Sequence, residues 1–268
     1  MPSEKRQRKR QNAQLRHQTI QQERRRADFK RRAITAVVVV GLFAGVVALI
    51  TAANSNNDDK SDVASTATTV EGADTTSTTA AREPAVDPTC PPADGSAEKH
   101  QNFAKAFDMC IDPAKTYTAD VETDAGTFTI TFDATKAPKT VNNFVSLARY
   151  HYYDGTVFHR VIPGFVVQGG DPTGTGSGDP GYKFADELPK AGEYEVGSVA
   201  MANSGPDTNG SQFFVVTGSQ GTSLPPSYSL FGKVTAGMDV VKKIETDGTP
   251  SGAPKVTHKI VRVTVKEA

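Results

Sequence analysis

The 268-residue chain contains no tryptophan, only two cysteines and five scattered histidines, and its formal net charge is zero. Two cysteines are too few for a disulfide-dense miniprotein or for a four-cysteine zinc site, so a hydrophobic core must hold the folded part together. The histidines lack ligand spacing with the cysteines, which argues against a metal site. The sequence therefore predicts a protein that folds around an ordinary core without a metal.

The zero net charge hides a separation of charge along the chain. Residues 1–32 carry twelve Lys and Arg against three Asp and Glu, a net charge of +9, so residues 33–268 carry −9. A basic head is thus joined to an acidic body. Such a head can serve as a topology signal, or it can bind anionic lipid or nucleic acid. Because the topology signal already explains the charge, we expect no nucleic-acid partner.

An uncharged run follows the basic head. Residues 33–53 form 21 uncharged, mostly apolar positions, and a helix of that length spans roughly 30 Å, one hydrocarbon core. A buried helix would usually show a polar face, which this run lacks. A cleaved signal peptide is the stronger alternative, because Thr51, Ala52 and Ala53 are small, but its apolar region would be shorter. We predict an uncleaved signal anchor in contact with membrane lipid, with the N-terminus in the cytoplasm and everything after Ala53 outside.

Two segments separate this run from the folded body. Residues 54–89 are dominated by Ser, Thr, Ala, Asp and Asn and are typical of a flexible linker. Residues 90–116 form a lead-in that contains Cys90 and Cys110. Because thiols outside the cytoplasm tend to be oxidised in pairs, we expect a disulfide between these two residues. Two free or intermolecular thiols are the alternative.

Residues 117–268 show many short β-type runs and two helical ones. The runs 117–123 and 127–132 flank a Gly-containing turn, which is typical of a hairpin. One amphipathic helix is predicted behind Pro138, a shorter one in GMDVVKKIE, and period-two alternation predicts a final strand in KIVRVTVKE. This pattern predicts a mainly β fold, a closed antiparallel barrel whose ends are covered by helices.

Three motifs stand in this body: VFHRVIPGFVVQGGD at residues 157–171, MANSGPDTNGSQFF at residues 201–214 and FGKV at residues 231–234. In this order they resemble the cyclophilin family of peptidyl-prolyl cis/trans isomerases, over residues 117–268. The resemblance implies an eight-stranded antiparallel β-barrel capped by two α-helices, a shallow groove on its outer face and isomerisation of X-Pro bonds without a cofactor. We interpret the whole chain as a membrane-anchored, bacterial-like cyclophilin that acts on exported or membrane-proximal polypeptides containing proline.

The resemblance also implies the residues of the groove. Arg160 would be catalytic, because a permanently charged donor can bond to the prolyl nitrogen lone pair that a twisted peptide bond localises. Phe213 would belong to the core. The substrate-binding residues would be apolar side chains around the proline ring and amides along the substrate backbone: Phe165, Val166, Gln168, Ala202, Asn203, Gln212, Phe214, Leu224 and Tyr228.

The loop before Phe231 departs from the commonest pattern of the family. Tyr228 stands where many members have His, and Thr222 or Ser223 lies near the position of a frequent Trp. We therefore expect cyclosporin-type inhibitors to bind only weakly. A proline-binding chaperone or scaffold that uses the same groove without turnover is the alternative function.

Residues 176–181, GSGDPG, also fit the G-x-G-x-x-G pattern of dinucleotide-binding proteins. Pro180 and the lack of a following βαβ pattern argue against a dinucleotide site. We interpret this segment as a mobile loop.

Overall fold

The computed structural model describes residues 82–268. The predicted basic head and membrane anchor lie outside the described residues, as does most of the predicted linker. No helix within residues 82–268 is long and apolar enough to cross a membrane. The elements in chain order are β1 (Tyr117–Thr123), β2 (Gly126–Phe132), α1 (Pro138–Arg149), β3 (Arg160–Ile162), β4 (Val166–Gly169), β5 (Ser198–Met201), β6 (Phe213–Val216), α2 (Ser219–Thr222), β7 (Leu230–Ala236), α3 (Met238–Thr246) and β8 (Ile260–Glu267).

The eight strands form one antiparallel sheet, in the order β3-β4-β6-β5-β7-β2-β1-β8, that curls into a half-barrel. The predicted eight antiparallel strands are confirmed, but β3 and β8 do not pair along their length as full closure requires. β3 has only three residues, and the eight residues of β8 pair with β1. The two edges approach instead at a short bridge, where the N–H of Phe158 donates to the carbonyl of His258 over 2.9 Å.

The hairpin between β1 and β2 forms where the sequence predicts it. Thr123 pairs with Gly126, so the loop consists of two residues. Gly126 has φ of 135°, a backbone conformation that residues with a side chain rarely adopt. A Cβ at this position would also collide with Val240 of α3. The glycine therefore allows both the turn and the close packing of α3 on the hairpin.

Helix α1 is buried on almost every side, although its sequence predicts an amphipathic helix. The lead-in covers its polar side. The side-chain oxygen of Asn142 accepts from the N–H of Cys110 over 2.7 Å, and its NH₂ donates to the carbonyl of Asp108 over 2.9 Å. The NH₂ of Asn143 donates to the carbonyl of Gly210. These two asparagines of α1 thus bond to other segments rather than to solvent.

The predicted disulfide between Cys90 and Cys110 is present, with Cα atoms 5.2 Å apart. The lead-in packs against the folded body, because Phe103 is 0% exposed and belongs to the main core. Its N–H donates to the carbonyl of Pro180 over 2.7 Å. Val86, which the sequence analysis assigns to the flexible linker, forms a β-bridge with Phe103. The end of that segment therefore packs on the folded body.

Candidate active site

The register of the sheet places three predicted site residues on one face. Arg160 of β3 lies opposite Gln168 of β4, and Gln168 lies opposite Phe214 of β6. Directly opposite residues of antiparallel strands share a face, so these side chains form a row on the outside of the half-barrel. The alternate residues Val167 and Val215 face the main core. Because successive side chains of a strand point to opposite faces, the site residues lie on one face of the sheet and the core residues on the other.

A chain of side-chain hydrogen bonds orients Arg160. Its Nη1 donates to Oε1 of Gln168 over 3.2 Å, and Nε2 of Gln168 donates to Oε1 of Gln212 over 3.1 Å. Nε2 of Gln212 then donates to the carbonyls of Gly176 and Gly178, each over 3.0 Å. The guanidinium carbon of Arg160 also lies 5.5 Å from the ring centre of Phe165. The guanidinium is therefore held between an amide and an aromatic ring.

The predicted residues surround a shared cavity. A cavity of about 310 Å³ opens on this face, and nine of the ten predicted catalytic and substrate-binding residues line it. The tenth, Gln212, lines a smaller polar depression of about 100 Å³ that shares Gln168, Ala202 and Asn203 with the first. The residues of the larger cavity are Arg160, Phe165, Val166, Gln168, Ala202, Asn203, Phe214, Leu224 and Tyr228.

The two adjacent phenylalanines take the positions that the sequence analysis assigns to them. Phe213 packs in the main core, where its ring lies 5.4 Å from that of Phe144. Phe214 belongs to a second cluster beneath the cavity, and Tyr228 meets it edge-on at 5.4 Å. The cavity therefore has an aromatic floor and one aromatic wall.

The cavity thus places the guanidinium of Arg160 beside an apolar floor. The sequence of the chain also matches a known family. A sequence model described as "Cyclophilin type peptidyl-prolyl cis-trans isomerase/CLD" matches residues 118–265, which is more than half of the chain. The chain belongs to the cyclophilin family. It is a peptidyl-prolyl cis-trans isomerase of that family, and its relatives carry this activity in their names.

Relatives of this cyclophilin come from fungi, a plant and mycobacteria. Peptidyl-prolyl cis-trans isomerase-like 1 of Gibberella zeae is 46% identical over 152 residues, which cover 55% of this chain and 93% of the relative. Peptidyl-prolyl cis-trans isomerase CYP18-2 of Arabidopsis thaliana is 43% identical, with 54% and 91% coverage. Peptidyl-prolyl cis-trans isomerase A of Mycobacterium tuberculosis is 44% identical over 157 residues, with 51% and 86% coverage.

A solved structure agrees with the sequence relationship. The cyclophilin type peptidyl-prolyl cis-trans isomerase of Cryptosporidium parvum is 33% identical and superposes with a TM-score of 0.53, covering 56% of this chain and 98% of its own. The same protein was also crystallised in the presence of the dipeptide Ala-Pro, and that structure gives a TM-score of 0.52.

The glycine-rich segment of this cyclophilin, which the sequence predicts to be a loop, is bonded to Asp171. The buried carboxylate of Asp171 accepts from the N–H groups of Thr173, Gly176 and Gly178 and from the hydroxyl of Thr173. Burial alone would raise the pKa of Asp171, but these hydrogen bonds together hold the pKa below its usual value. Since Gly176 and Gly178 accept from Gln212, Asp171 supports the far end of the chain of bonds to Arg160.

Asn203 lies at the cavity of the cyclophilin domain, but its side chain is already occupied. Its NH₂ donates to the carbonyl of Ser227 over 2.9 Å, and its side-chain oxygen accepts from the N–H of Gly205 over 3.3 Å. The side chain thus ties the loop after β5 to the loop before β7.

One residue beneath the cavity of the cyclophilin domain could not be predicted from the sequence. Tyr194 is 3% exposed and packs in the second cluster with Phe214 and Val166. It stands outside the three motifs, between two elements, and no pattern around it predicts a contact with the groove. Its contact partner, Tyr228, follows 34 residues later.

Proposed function

We propose that this cyclophilin accelerates X-Pro isomerisation in exported or membrane-proximal polypeptides and that Arg160 is its catalytic residue. The main support for this proposal is that Gln168 and Phe165 hold the guanidinium of Arg160 at the edge of an apolar cavity. The proline ring enters the cavity, and the crystallisation of the Cryptosporidium parvum relative with Ala-Pro supports a proline-containing ligand.

Isomerisation here relies on binding the twisted peptide bond more tightly than the planar one. Rotation of an amide costs about 18 to 20 kcal/mol because resonance occupies the nitrogen lone pair. When the bond twists, the lone pair localises on the prolyl nitrogen and accepts a hydrogen bond from Arg160. Phe165, Phe214 and Leu224 hold the ring while the carbonyl side rotates. No proton is transferred, so a permanent cation suits the task.

The activity is tested with the full-length chain in a protease-coupled assay of an X-Pro peptide. We expect the wild-type chain to accelerate isomerisation and Arg160→Ala to lower kcat/KM by at least about tenfold. Arg262→Ala is the matched control, since Arg262 lies exposed on β8. An inactive wild type that still binds the peptide would favour the scaffold function, and full activity of Arg160→Ala would refute the proposed mechanism.

We further propose that residues 33–53 anchor the protein as a single-pass, bacterial-like cyclophilin, with its N-terminus cytoplasmic and its catalytic domain outside. The net charge of +9 on residues 1–32 supports this orientation. The Cys90–Cys110 disulfide also favours an oxidising compartment for the domain.

The orientation is tested by adding protease to intact cells whose outer layers admit it. We expect the domain to be cleaved while an epitope placed before residue 33 survives. A cytoplasmic protein of the same cells serves as the control for leakage. Protection of the domain until lysis would reverse the orientation. Deleting residues 1–32 and measuring localisation then separates a topology signal from a nucleic-acid or lipid-binding segment.

A further inference from the structure

One wall of the cavity is an irregular segment, residues 223–229, which connects α2 to β7. Two of its side chains, Leu224 and Tyr228, line the cavity. Two consecutive prolines, Pro225 and Pro226, stand between them and can donate no backbone hydrogen bond. A wall built in this way needs hydrogen bonds from elsewhere in the molecule to hold its shape.

Tyr194 supplies such bonds to Tyr228. The hydroxyl of Tyr194 donates to the carbonyl of Tyr228 over 2.7 Å, and the same oxygen accepts from the N–H of Tyr228 over 3.1 Å. A phenol is able to do both because it carries one proton and free lone pairs. One side chain thus satisfies both backbone polar groups of the residue whose ring meets Phe214.

The environment of Tyr194 keeps its hydroxyl protonated, as the double hydrogen bond requires. The side chain is 3% exposed and packs among Val166, Ala200 and Phe214. Burial raises the pKa of Tyr194 to about 12. The hydroxyl therefore keeps its proton, and remains a donor, throughout the pH range in which the enzyme can be assayed.

We propose that Tyr194 is a positioning residue of the isomerase, which fixes the Tyr228 wall of the proline cavity through this double hydrogen bond. The inference rests on the proposed function. Tyr194 touches no substrate; it acts on substrate binding through Tyr228. Since the wall contacts the proline ring in the planar and in the twisted state alike, loss of the bond weakens both states together, which raises KM and spares kcat.

The test compares Tyr194→Phe with the wild type in steady-state kinetics of an X-Pro peptide. The variant keeps the ring and its packing and removes only the hydroxyl. We expect KM to rise roughly threefold to tenfold, as the loss of a hydrogen bond of ordinary strength would give, with kcat within about twofold of the wild type. An unchanged KM, or a fall in kcat alone, would overturn the proposal.

Tyr117→Phe is the matched control. Tyr117 is 1% exposed on β1, away from the cavity, and its hydroxyl accepts from the N–H of Asp112 over 3.0 Å. This variant loses a buried tyrosine hydroxyl of the same kind, so it measures the effect of general destabilisation. We expect its KM to match the wild type. An equal rise of KM in both variants would mean that Tyr194 acts through stability alone.

A double-mutant cycle isolates the route through Tyr228. In a Tyr228→Ala background the wall side chain is already gone, so Tyr194→Phe should change KM by less than about twofold. The same rise of KM in both backgrounds would show that Tyr194 acts elsewhere.

Hydrogen exchange of the Tyr228 amide gives a readout that does not depend on activity. We expect this amide to exchange faster in Tyr194→Phe and to be unchanged in Tyr117→Phe. An inactive wild type with the expected exchange would refute the proposed function but keep the contact. An active wild type with unchanged exchange in Tyr194→Phe would refute the positioning role.

Discussion

At the level of single residues, the site depends on the shape of Arg160 as much as on its charge. The planar guanidinium bonds to Gln168 with one nitrogen and lies against Phe165 with its carbon, which leaves other N–H groups free for substrate. Lysine would supply a charge but not this fork. The contacts that position Arg160 therefore use only part of its guanidinium group.

We expect Arg160→Lys to recover only part of the activity that Arg160→Ala loses, because a single ammonium cannot bond to Gln168 and to the prolyl nitrogen in the same geometry. The measurement is kcat/KM for the X-Pro peptide in the three forms, with circular dichroism as the control for folding. Wild-type activity in Arg160→Lys would show that charge alone is sufficient.

The position of Ser223 sets a second prediction at this scale. It directly precedes Leu224, which lines the cavity, and its hydroxyl donates to the carbonyl of Ser219. We expect a cyclosporin-type inhibitor to bind the wild type weakly and Ser223→Trp or Thr222→Trp at least about thirtyfold more tightly, the value of a typical aromatic hot spot. Titration of all three forms measures this. Equal affinities would show that the loop does not limit inhibitor binding.

The residues of the site were predictable to different degrees. Arg160, Gln168 and Phe214 lie in long motifs, and their cross-strand register then brings them together. Asp171 lies in a motif as well, but its role as an anchor depends on a turn that the sequence does not specify. Tyr194 carries no local signal, because its contact depends on the folded path of two irregular segments.

At the level of elements, helix α1 takes its N-terminal cap from a distant residue. Ala137 precedes the helix and offers no side-chain acceptor. The carboxylate of Glu187 accepts instead from the N–H of Lys139 over 3.1 Å and from the N–H and hydroxyl of Thr140, each over 2.8 Å. A negative charge at this end also suits the helix dipole.

We expect Glu187→Ala to lower the free energy of unfolding by about 1 to 2 kcal/mol, the usual loss for a helix cap. Urea denaturation measures the change. Glu122→Ala, an exposed glutamate of β1, is the matched control and should leave the stability within about 0.5 kcal/mol. A loss in both variants alike would mean that the cap contributes nothing specific.

A histidine joins three elements of the fold. Nδ1 of His258, just before β8, lies 2.9 Å from Asp124 in the β1–β2 turn, and its Nε2 lies 2.9 Å from Asp247 at the end of α3. Burial alone would lower the pKa of His258, but its hydrogen bonds to the two carboxylates outweigh this effect and raise the pKa above its usual 6.5. The imidazolium form is therefore favoured in the folded protein.

We expect the stability from this contact to be complete below about pH 6.5 and to be lost as the pH rises through the higher pKa of the folded state. Denaturation curves between pH 5.5 and 8.5 measure it in the wild type and in His258→Gln. The difference between the two proteins should shrink with rising pH, and Asp247→Asn should reduce it at low pH. A difference that grows with pH would show that the contact does not favour the protonated form of His258.

The elements differ in how far their sequence determined them. The β1–β2 hairpin, α1 and β8 follow local alternation or helical spacing, and all three form as predicted. The one-turn helix α2 was not predicted, because four residues are too few for a periodic pattern to show. The eight antiparallel strands were predicted, whereas the half-barrel, whose edges meet only at a short bridge, was not.

At the level of the whole described molecule, the lead-in is part of the folded body and not only a spacer before it. Phe103 of the lead-in fills the main core, and Arg82, at the end of the predicted linker, forms an ion pair with Asp179 over 3.1 Å. Gly181, with φ of 102°, lets the backbone of Phe103 approach closely. The sequence predicted the disulfide but not this packing, because the motifs of the family begin after the lead-in.

The disulfide and this packing make separate contributions, which gives the last prediction. Closing a loop of about 20 residues is worth about 3 kcal/mol in the chain-entropy model, so Cys90→Ser with Cys110→Ser should lower the free energy of unfolding by about that amount. Phe103 lies inside the loop, but its bond to Pro180 does not involve the crosslinked cysteines. We therefore expect isomerase activity at 25 °C to stay within about twofold of the wild type.

Urea denaturation with and without a dithiol reductant, alongside the activity assay, separates the two contributions. Reductant should destabilise the wild type to the level of the double variant and leave the double variant unchanged, which controls for other effects of the reductant. A wild type that resists reductant while its thiols become labelled would show that the loop contributes no stability. Loss of activity in a folded double variant would show instead that the crosslinked lead-in shapes the groove, through the segment between Gly176 and Gly181 that Phe103 contacts.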